Sequence, residues 1–173
     1  MIRDLVIYGD ERLKQESDIV ASVNDEIKTL IDDMFETMYS ARGVGLAAVQ
    51  IGVMKRVIVI SVPDWDDDKK PDFKMALINP EITWHNEEME ILEEGCLSIP
   101  NIRDDVARFT HIKVKYMDTE GNNKEMDAYD YVAKVLQHEI DHTNGILFID
   151  RLEAHQKRRL KRDLKELRNK YKN

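Results

Sequence analysis

The segment that most constrains the fold of this 173-residue chain is His138-Glu139-Ile140-Asp141-His142. In an α-helix, residues four apart lie on one face, one turn apart, so this spacing places two imidazoles side by side. Such a pair can bind one metal ion, with Glu139 beside it to accept a proton. The alternative is a solvated polar helix face. We favour the metal site, because chance would produce this arrangement in roughly one chain in a hundred of this composition.

Length and composition indicate a soluble globular protein with one domain over residues 1–173 and a core of ordinary size. Hydrophobic residues make up 42% and charged residues 35% of the chain. No apolar run approaches the length of a membrane span, and the first residues lack the pattern of a signal peptide. Cys96 is the only cysteine, which excludes an internal disulfide and favours a reducing compartment, hence the cytoplasm.

Charge is distributed unevenly along the chain. Residues 151–173 contain ten Lys or Arg and three Asp or Glu, which gives this segment a net charge of +7. Since the whole chain has a net charge of −8, the rest of the chain has a net charge of −15. This layout indicates that the tail, rather than the body, would meet a polyanion. A basic helix that packs its leucines on the body and leaves its charges in solvent is the alternative.

Hydrophobic periodicity predicts three helices. The first would be capped by Ser22 or Asn24 and would end before Gly43, with apolar residues recurring every three or four positions. The second, at residues 130–144, carries the two histidines and ends at Gly145. The third runs from about Glu153 to Lys172 and has an apolar face made of Leu160, Leu164, Leu167 and Tyr171.

Strands are predicted at residues 57–60, 75–78, 87–92, 111–116 and 124–128, with turns at residues 9–10 and 118–123 and an exposed loop at residues 63–71. Short strands joined by turns favour antiparallel pairing. The predicted fold class is therefore α+β, with antiparallel β-sheets around a central metal-binding helix and with N-terminal and C-terminal helices.

A catalytic metal usually has three protein ligands, so a third is needed besides His138 and His142. Residue type alone leaves several candidates open. Cys96 could supply a thiolate and follows Gly95, which lets the chain approach closely, but a lone cysteine is often only a small buried hydrophobe. The other candidates are a carboxylate or one of His85, His111 and His155.

Gln50 is a polar residue among small apolar ones in the glycine-containing segment 43–52. Its amide either ties down a nearby loop or donates a hydrogen bond into a site. The sequence leaves both interpretations open.

Three segments together resemble the peptide deformylase family, in that family's order and separations. They are Gly43-Val44-Gly45-Leu46-Ala47-Ala48-Val49-Gln50, then Glu94-Gly95-Cys96-Leu97-Ser98, then Gln137-His138-Glu139-Ile140-Asp141-His142. The similarity continues through Arg103 to the C-terminal helix and covers most of the chain. Thr143 departs from the leucine that is common in the family, which concerns only local packing.

The resemblance implies the residue roles. The expected metal ligands are Cys96, His138 and His142. The expected catalytic groups are Glu139 as general base and acid, with Gln50 and the backbone N–H of Leu97 holding the reacting oxygen. The expected substrate-binding residues are Val44, Gly45, Leu46, Gly95 and Arg103.

The resemblance also implies the reaction. A metal-bound water would attack the formyl carbon of N-formylmethionine on nascent polypeptides and release formate. The implied cofactor is one divalent ion, Fe²⁺ in the cell, with Zn²⁺, Ni²⁺ or Co²⁺ as substitutes, since His and Cys ligands suit all of them. The basic C-terminal helix would dock on ribosomal RNA, and no membrane partner is expected. A zincin-like endopeptidase and a ribosome-associated binding protein with a structural metal are the rival hypotheses.

Overall fold

The computed structural model describes residues 1–171 and contains three α-helices and seven β-strands in that range. The helices are α1 (Asp25–Ser40), α2 (Asp130–Thr143) and α3 (Ala154–Tyr171). The strands are β1 (Gly45–Ala47), β2 (Val57–Val62), β3 (Phe73–His85), β4 (Met89–Cys96), β5 (Ile99–Phe109), β6 (His111–Met117) and β7 (Asn123–Tyr129). Lys172, the predicted end of the tail helix, lies outside the described residues.

Two antiparallel sheets surround α2. Five strands form one sheet in the order β1-β2-β3-β6-β7, and β4 pairs with β5 in the other. Helix α2 contacts strands of both sheets, and ten of its fourteen residues are buried. The predicted α+β class with antiparallel sheets around a central helix is thus confirmed.

Helix α1 forms as its sequence predicts. The side chain of Asn24, not Ser22, caps it by accepting a hydrogen bond of 3.0 Å from the Ile27 N–H. Acidic Asp25 and Glu26 occupy its first turn, where they oppose the positive end of the helix dipole. Its apolar stripe belongs to a buried core cluster that also contains Val57 and Val59 of β2.

The predicted strands and the observed strands differ mainly in four places. Strand β1 was not predicted, and β3 (Phe73–His85) is far longer than the predicted strand at residues 75–78. The prediction for residues 87–92 was wrong at its start, because Glu87 and Glu88 lie in the connection and β4 begins at Met89. Strand β5 was not predicted at all, although Ile102, Asp104, Val106 and Arg108 alternate with exposed residues. The pattern is hard to see because two of these four inward-facing residues are charged.

Helix α3 packs its leucine face on the body. Leu160 is buried, and Leu164 and Leu167 are partly buried against the core. Tyr171, predicted on the same face, is half exposed. Gln156 and Arg159 bind the buried carboxylate of Asp104 on β5, which fixes the first half of the helix. No helix in the described range is long and apolar enough to cross a membrane.

Candidate metal centre

The structure brings the side chains of Cys96, His138 and His142 together. Cys96 is the last residue of β4, and the histidines lie one turn apart on α2. One ligand atom from each residue lies within 4.8 Å of the other two. The Cys96 Sγ is 3.4 Å from the His142 Nε2. Two imidazoles and a thiol are a donor set that suits a divalent transition metal, so these residues fit the implied ion.

The other histidines lie elsewhere. His85 stacks on Phe109, and His111 stacks on Tyr129 and pairs with a carboxylate of β7. His155 is exposed at the start of α3. Of the third ligands that the sequence left open, only Cys96 joins the two α2 histidines in a cluster within residues 1–171.

A buried ion network orients His138. Its Nδ1 lies 2.8 Å from the Glu94 Oε1, so the carboxylate accepts that N–H and leaves the Nε2 for a metal. Arg108, 4% exposed at its side chain, donates to Glu94 and, at 2.7 Å, to Asp141. Arg151 binds the same Asp141 carboxylate at 2.9 Å. Burial alone would raise the pKa of Glu94, but the hydrogen bonds from His138 and Arg108 lower it to about 2.

The two histidines are in different electrostatic environments. Burial lowers the pKa of His142 well below its ordinary value, and the positive charge of His138 adds to the effect. Burial also acts against the charged form of His138. However, the negative charge of Glu139 and the hydrogen bonds to Cys96 and Glu94 raise the His138 pKa well above the usual range. A metal that binds there must therefore displace a proton.

Glu139 is 4% exposed and lies against Gly45 of β1. A Cβ atom at Gly45 would be 2.7 Å from the Glu139 Oε2, so only glycine leaves room for this carboxylate. The Oε1 atom is buried and has no hydrogen-bond partner among residues 1–171. Burial raises the pKa of Glu139 to about 7. A carboxylate in this environment is suited to exchange a proton with a bound ligand.

The contacts of Gln50 agree with both interpretations that the sequence left open, a tie to a nearby loop and a hydrogen bond donated into a site. Its Oε1 accepts a hydrogen bond of 2.9 Å from the Ala47 N–H, which ties the short helical turn after β1. Its Nε2 donates to the Ser98 Oγ at 3.1 Å and to the Cys96 Sγ at 3.4 Å. The amide is therefore held beside the Cys96 sulfur.

A cleft of about 530 Å³ runs past these groups. Its wall includes most of the predicted site residues, although His142 and Leu46 do not line it; the Leu46 side chain is fully buried in the core beside α1. The predicted site residues that do line it are Val44, Gly45, Gln50, Gly95, Cys96, Leu97, Arg103, His138 and Glu139.

Comparison with known proteins decides the family. The sequence profile described as polypeptide deformylase matches residues 2–158. The chain belongs to the peptide deformylase family. It is 75% identical over 169 residues to the peptide deformylase of Brachyspira hyodysenteriae, covering 98% of this chain and 90% of that one. It is 48% identical over 151 residues to that of Methylocella silvestris, covering 87% and 77%.

Solved deformylases share the whole fold. The Ehrlichia chaffeensis enzyme in complex with actinonin has a TM-score of 0.89 and 37% identity, covering 99% of both chains. The Met-Ala-Ser-bound Acinetobacter baumannii enzyme has a TM-score of 0.82 and 36% identity, covering 88% of this chain and 99% of that one. This protein is thus an enzyme of the deformylase family, which acts in protein biosynthesis and depends on a metal.

Sequence reasoning missed several groups around the centre. Glu94 lies two residues before Cys96 on β4, and a regular strand would place both side chains on one face. The pairing is irregular between Gly95 and Cys96, so this spacing is only a weak signal that Glu94 contacts a ligand. Arg108 and Ser98 gave no such signal, because their contacts join segments that are distant in the chain. The departure Thr143 is buried, donates to the Ile140 carbonyl at 2.6 Å and accepts a hydrogen bond from Arg56 at 3.3 Å. It therefore takes part in packing and does not line the cleft.

Proposed function

We propose that this deformylase hydrolyses the N-formyl group of N-formylmethionyl nascent polypeptides and releases formate. The observation that carries the proposal is the buried Glu139 carboxylate in the cleft wall, whose Oε1 has no hydrogen-bond partner among the described residues, beside three converging candidate ligand atoms. When bound by Cys96, His138 and His142, a divalent ion would supply Lewis acidity, which makes water a nucleophile at neutral pH and polarises the formyl oxygen.

Glu139 would carry the proton. As water adds to the formyl carbon, the carboxylate would accept a proton from it and then donate that proton to the methionine nitrogen as the C–N bond breaks. Formate and a free amino terminus result. The support is the position of the carboxylate: Gly45 leaves room for it against β1, and Glu139 is only 4% exposed in the wall of the cleft.

Gln50 and the Leu97 N–H would stabilise the oxygen that becomes negative in the transition state. The Gln50 Nε2 already donates beside the Cys96 sulfur, and Leu97 follows Cys96 directly along the cleft wall. The loss of one such donor typically raises the barrier by about 3 kcal/mol.

Strand β1 would bind the substrate backbone. It is an edge strand of the five-stranded sheet, so one side of its backbone is free to pair with an extended peptide. Val44 and Gly45 line the cleft there, whereas Leu46 would contribute only backbone groups. Gly95 and Arg103 would contact later residues. A related enzyme binds Met-Ala-Ser, which supports a peptide of this kind in the same cleft.

The identity of the ion and the ribosome contact follow from the resemblance to the family, and the cellular location follows from the single cysteine. We infer Fe²⁺ as the cellular ion, with Zn²⁺, Ni²⁺ or Co²⁺ as substitutes, and we place the enzyme in the cytoplasm beside translating ribosomes. The exposed basic residues of α3 would contact rRNA phosphates. We treat residues 1–173 as one catalytic domain, because strand β2 contributes side chains to both core clusters.

The first test is formate release from formyl-Met-Ala-Ser by protein prepared without oxygen, beside Glu139→Ala. The wild type should release formate, and Glu139→Ala should retain its metal but lose turnover. A Glu139→Ala protein with near-normal kcat would refute the assigned role. Metal-loaded wild type that releases no formate would defeat the proposal. In that case a casein digest would separate the endopeptidase hypothesis from a binding protein.

For the tail, ribosome co-sedimentation should be salt-sensitive and should disappear when residues 153–173 are removed. Binding that survives this truncation would exclude docking through α3.

A further inference from the structure

Lys134 is a buried lysine in the wall of the substrate cleft. It lies on the face of α2 that also presents Tyr131, Val135 and His138 to the cleft. Its side chain is only 6% exposed, and its Nζ lies 2.9 Å from the Glu90 Oε1 on β4. Lysine is almost never fully buried unless it is paired. Under the proposed function, the cleft that Lys134 lines would receive the methionine side chain of the substrate.

Helix geometry gives the position of Lys134 along the cleft. At a rise of about 1.5 Å per residue, Lys134 lies about 6 Å from His138 along the α2 axis, and Tyr131 lies about 10 Å away. Under the proposed function, the formyl group must lie beside His138 and Glu139. The first side chain of the substrate starts there and spans about one helical turn, which brings its end to the level of Lys134.

Lys134 therefore belongs to the inner wall of the cleft and not to its rim. Lys134 and Val135 are buried, whereas Arg42 and Asn101 at the other lining positions are exposed. Leu92 of β4 and Val135 supply apolar surface at this level. An ammonium beside such surface interacts more strongly with an acceptor than it would in water.

We propose that Lys134, anchored by Glu90, is a specificity residue that selects a first side chain ending in a hydrogen-bond acceptor. An ammonium has three donors, and Glu90 holds one side of it. A thioether sulfur is a weak acceptor, a sulfoxide oxygen is a strong one, and the hydrocarbon end of norleucine has none. The inference rests on the proposed function, and it adds formyl-methionine sulfoxide to the substrates.

The opposing explanation is that the lysine stem only covers apolar surface while its head reaches solvent at the exposed Glu90. The two explanations predict different substrate preferences. A pocket with only a lysine stem in its wall would treat methionine and norleucine alike and would reject the polar sulfoxide.

The test measures kcat/KM by formate release for formyl-Met-Ala-Ser and for its norleucine and methionine sulfoxide analogues. The wild type should prefer methionine to norleucine by about tenfold, and should use the sulfoxide at least as well as norleucine, because a charged donor strengthens the hydrogen bond. Equal use of methionine and norleucine, with the sulfoxide rejected, would overturn the inference and leave the proposed function intact. No formate from any of the three would defeat both.

Lys134→Met supplies the second arm, since methionine keeps an unbranched side chain and removes the donor. It should make the preference for methionine over norleucine fall to about twofold or less and should reduce sulfoxide turnover at least tenfold. Lys55→Met is the matched control, because the Lys55 Nζ pairs with the Glu26 Oε1 at a distance of 3.4 Å and Lys55 does not line the cleft. The substrate ratios of this variant should equal those of the wild type. Unchanged ratios in Lys134→Met would refute the proposal.

Discussion

At the scale of single residues, two residues that take no direct part in the proposed proton transfer shape the centre. Gly45 has no side chain, and this lets the Glu139 carboxylate rest against β1. Glu94 has no place in the chemistry, yet it fixes the ring of His138. Glu94 acts on the reaction only through His138, whereas Gly45 positions Glu139 and also lines the cleft. Substitutions at the two residues should therefore separate the geometry of the carboxylate from metal binding.

Gly45→Ala should reduce kcat about 100-fold while the metal content stays normal, because a shift of the catalytic group by about 1 Å has that effect. The new Cβ would overlap Glu139, whose burial leaves it little freedom to move. Formate assays and metal analysis of the purified variant check this. Gly121→Ala, in an open turn outside the cleft wall, is the control: its φ of +85° strains an alanine and should cost stability, but kcat should stay at the wild-type value. Wild-type kcat in Gly45→Ala would contradict the prediction.

Glu94→Gln should weaken metal binding about 10- to 100-fold, because the carboxylate selects the ring orientation and tautomer of His138. Competition with a chelator measures the affinity. Its neighbour Glu93 provides the matched control: Glu93 pairs with Arg103 on the exposed side of β4, and Glu93→Gln should bind metal normally. Equal affinities for the two variants would exclude the assigned role of Glu94.

At the scale of elements, the buried carboxylate of Asp104 is the main polar link between β5 and α3, beside the packing of the leucine face and a hydrogen bond from Gln156 to the Asp105 carbonyl. Asp104 accepts hydrogen bonds from its neighbour's backbone N–H, from Gln156 at 3.0 Å and from Arg159. Burial would raise the pKa of Asp104, but these hydrogen bonds outweigh it and hold the pKa below its usual value of 3.8. The charged carboxylate therefore stabilises the docked helix.

The sign of the pH dependence follows from that lowered pKa. Asp104 stabilises the fold fully above its unfolded pKa, and the contribution is lost as the pH falls through the folded pKa. Asp104→Asn should lower the free energy of unfolding at pH 7 by about 1–3 kcal/mol, and the difference from wild type should shrink below about pH 4. Urea denaturation at several pH values tests this.

The control for this element is Glu166→Gln, which removes an exposed i,i+4 pair with Arg162 on the same helix. Such pairs contribute about 0.5 kcal/mol or less, so the variant should unfold like the wild type. A difference between Asp104→Asn and wild type that is the same at pH 7 and pH 3 would show that charge is not what docks α3.

At the scale of the whole molecule, a bound ion would join the two sheets through α2. Cys96 ends β4 in the two-stranded sheet, and the histidines lie on the helix that contacts both sheets. Because the unfolded chain does not hold these ligands together, metal binding should stabilise the folded state.

Removal of the metal should therefore lower the Tm. At a free ion concentration 100 times the Kd, binding contributes about 2.7 kcal/mol, which for a chain of this size corresponds to about 5–10 °C. Thermal unfolding with and without a chelator measures the shift. The Tm of Cys96→Ala should be the same with and without the chelator. A wild-type Tm that ignores the chelator would argue against a metal held by these three residues.

Local sequence determined those features that depend on neighbours in the chain. The i,i+4 spacing of His138 and His142 needs only a helix to bring the rings together, and the stripe of α1 and the alternation of β6 likewise follow from fixed periodicities. The fold class could be predicted for the same reason. The resemblance to deformylases, carried by three short segments, indicated Cys96 as a ligand where spacing alone left it open.

Only the tertiary structure decided which distant residues meet. It brought Glu94 and Arg108 to α2, set the Gln50 amide beside the Cys96 sulfur, and placed Lys134 opposite Glu90 in the cleft wall. These contacts join residues 44 or more positions apart in most cases, as with Glu94 and His138. No helical or strand period extends across such separations, because they depend on how the two sheets close around α2.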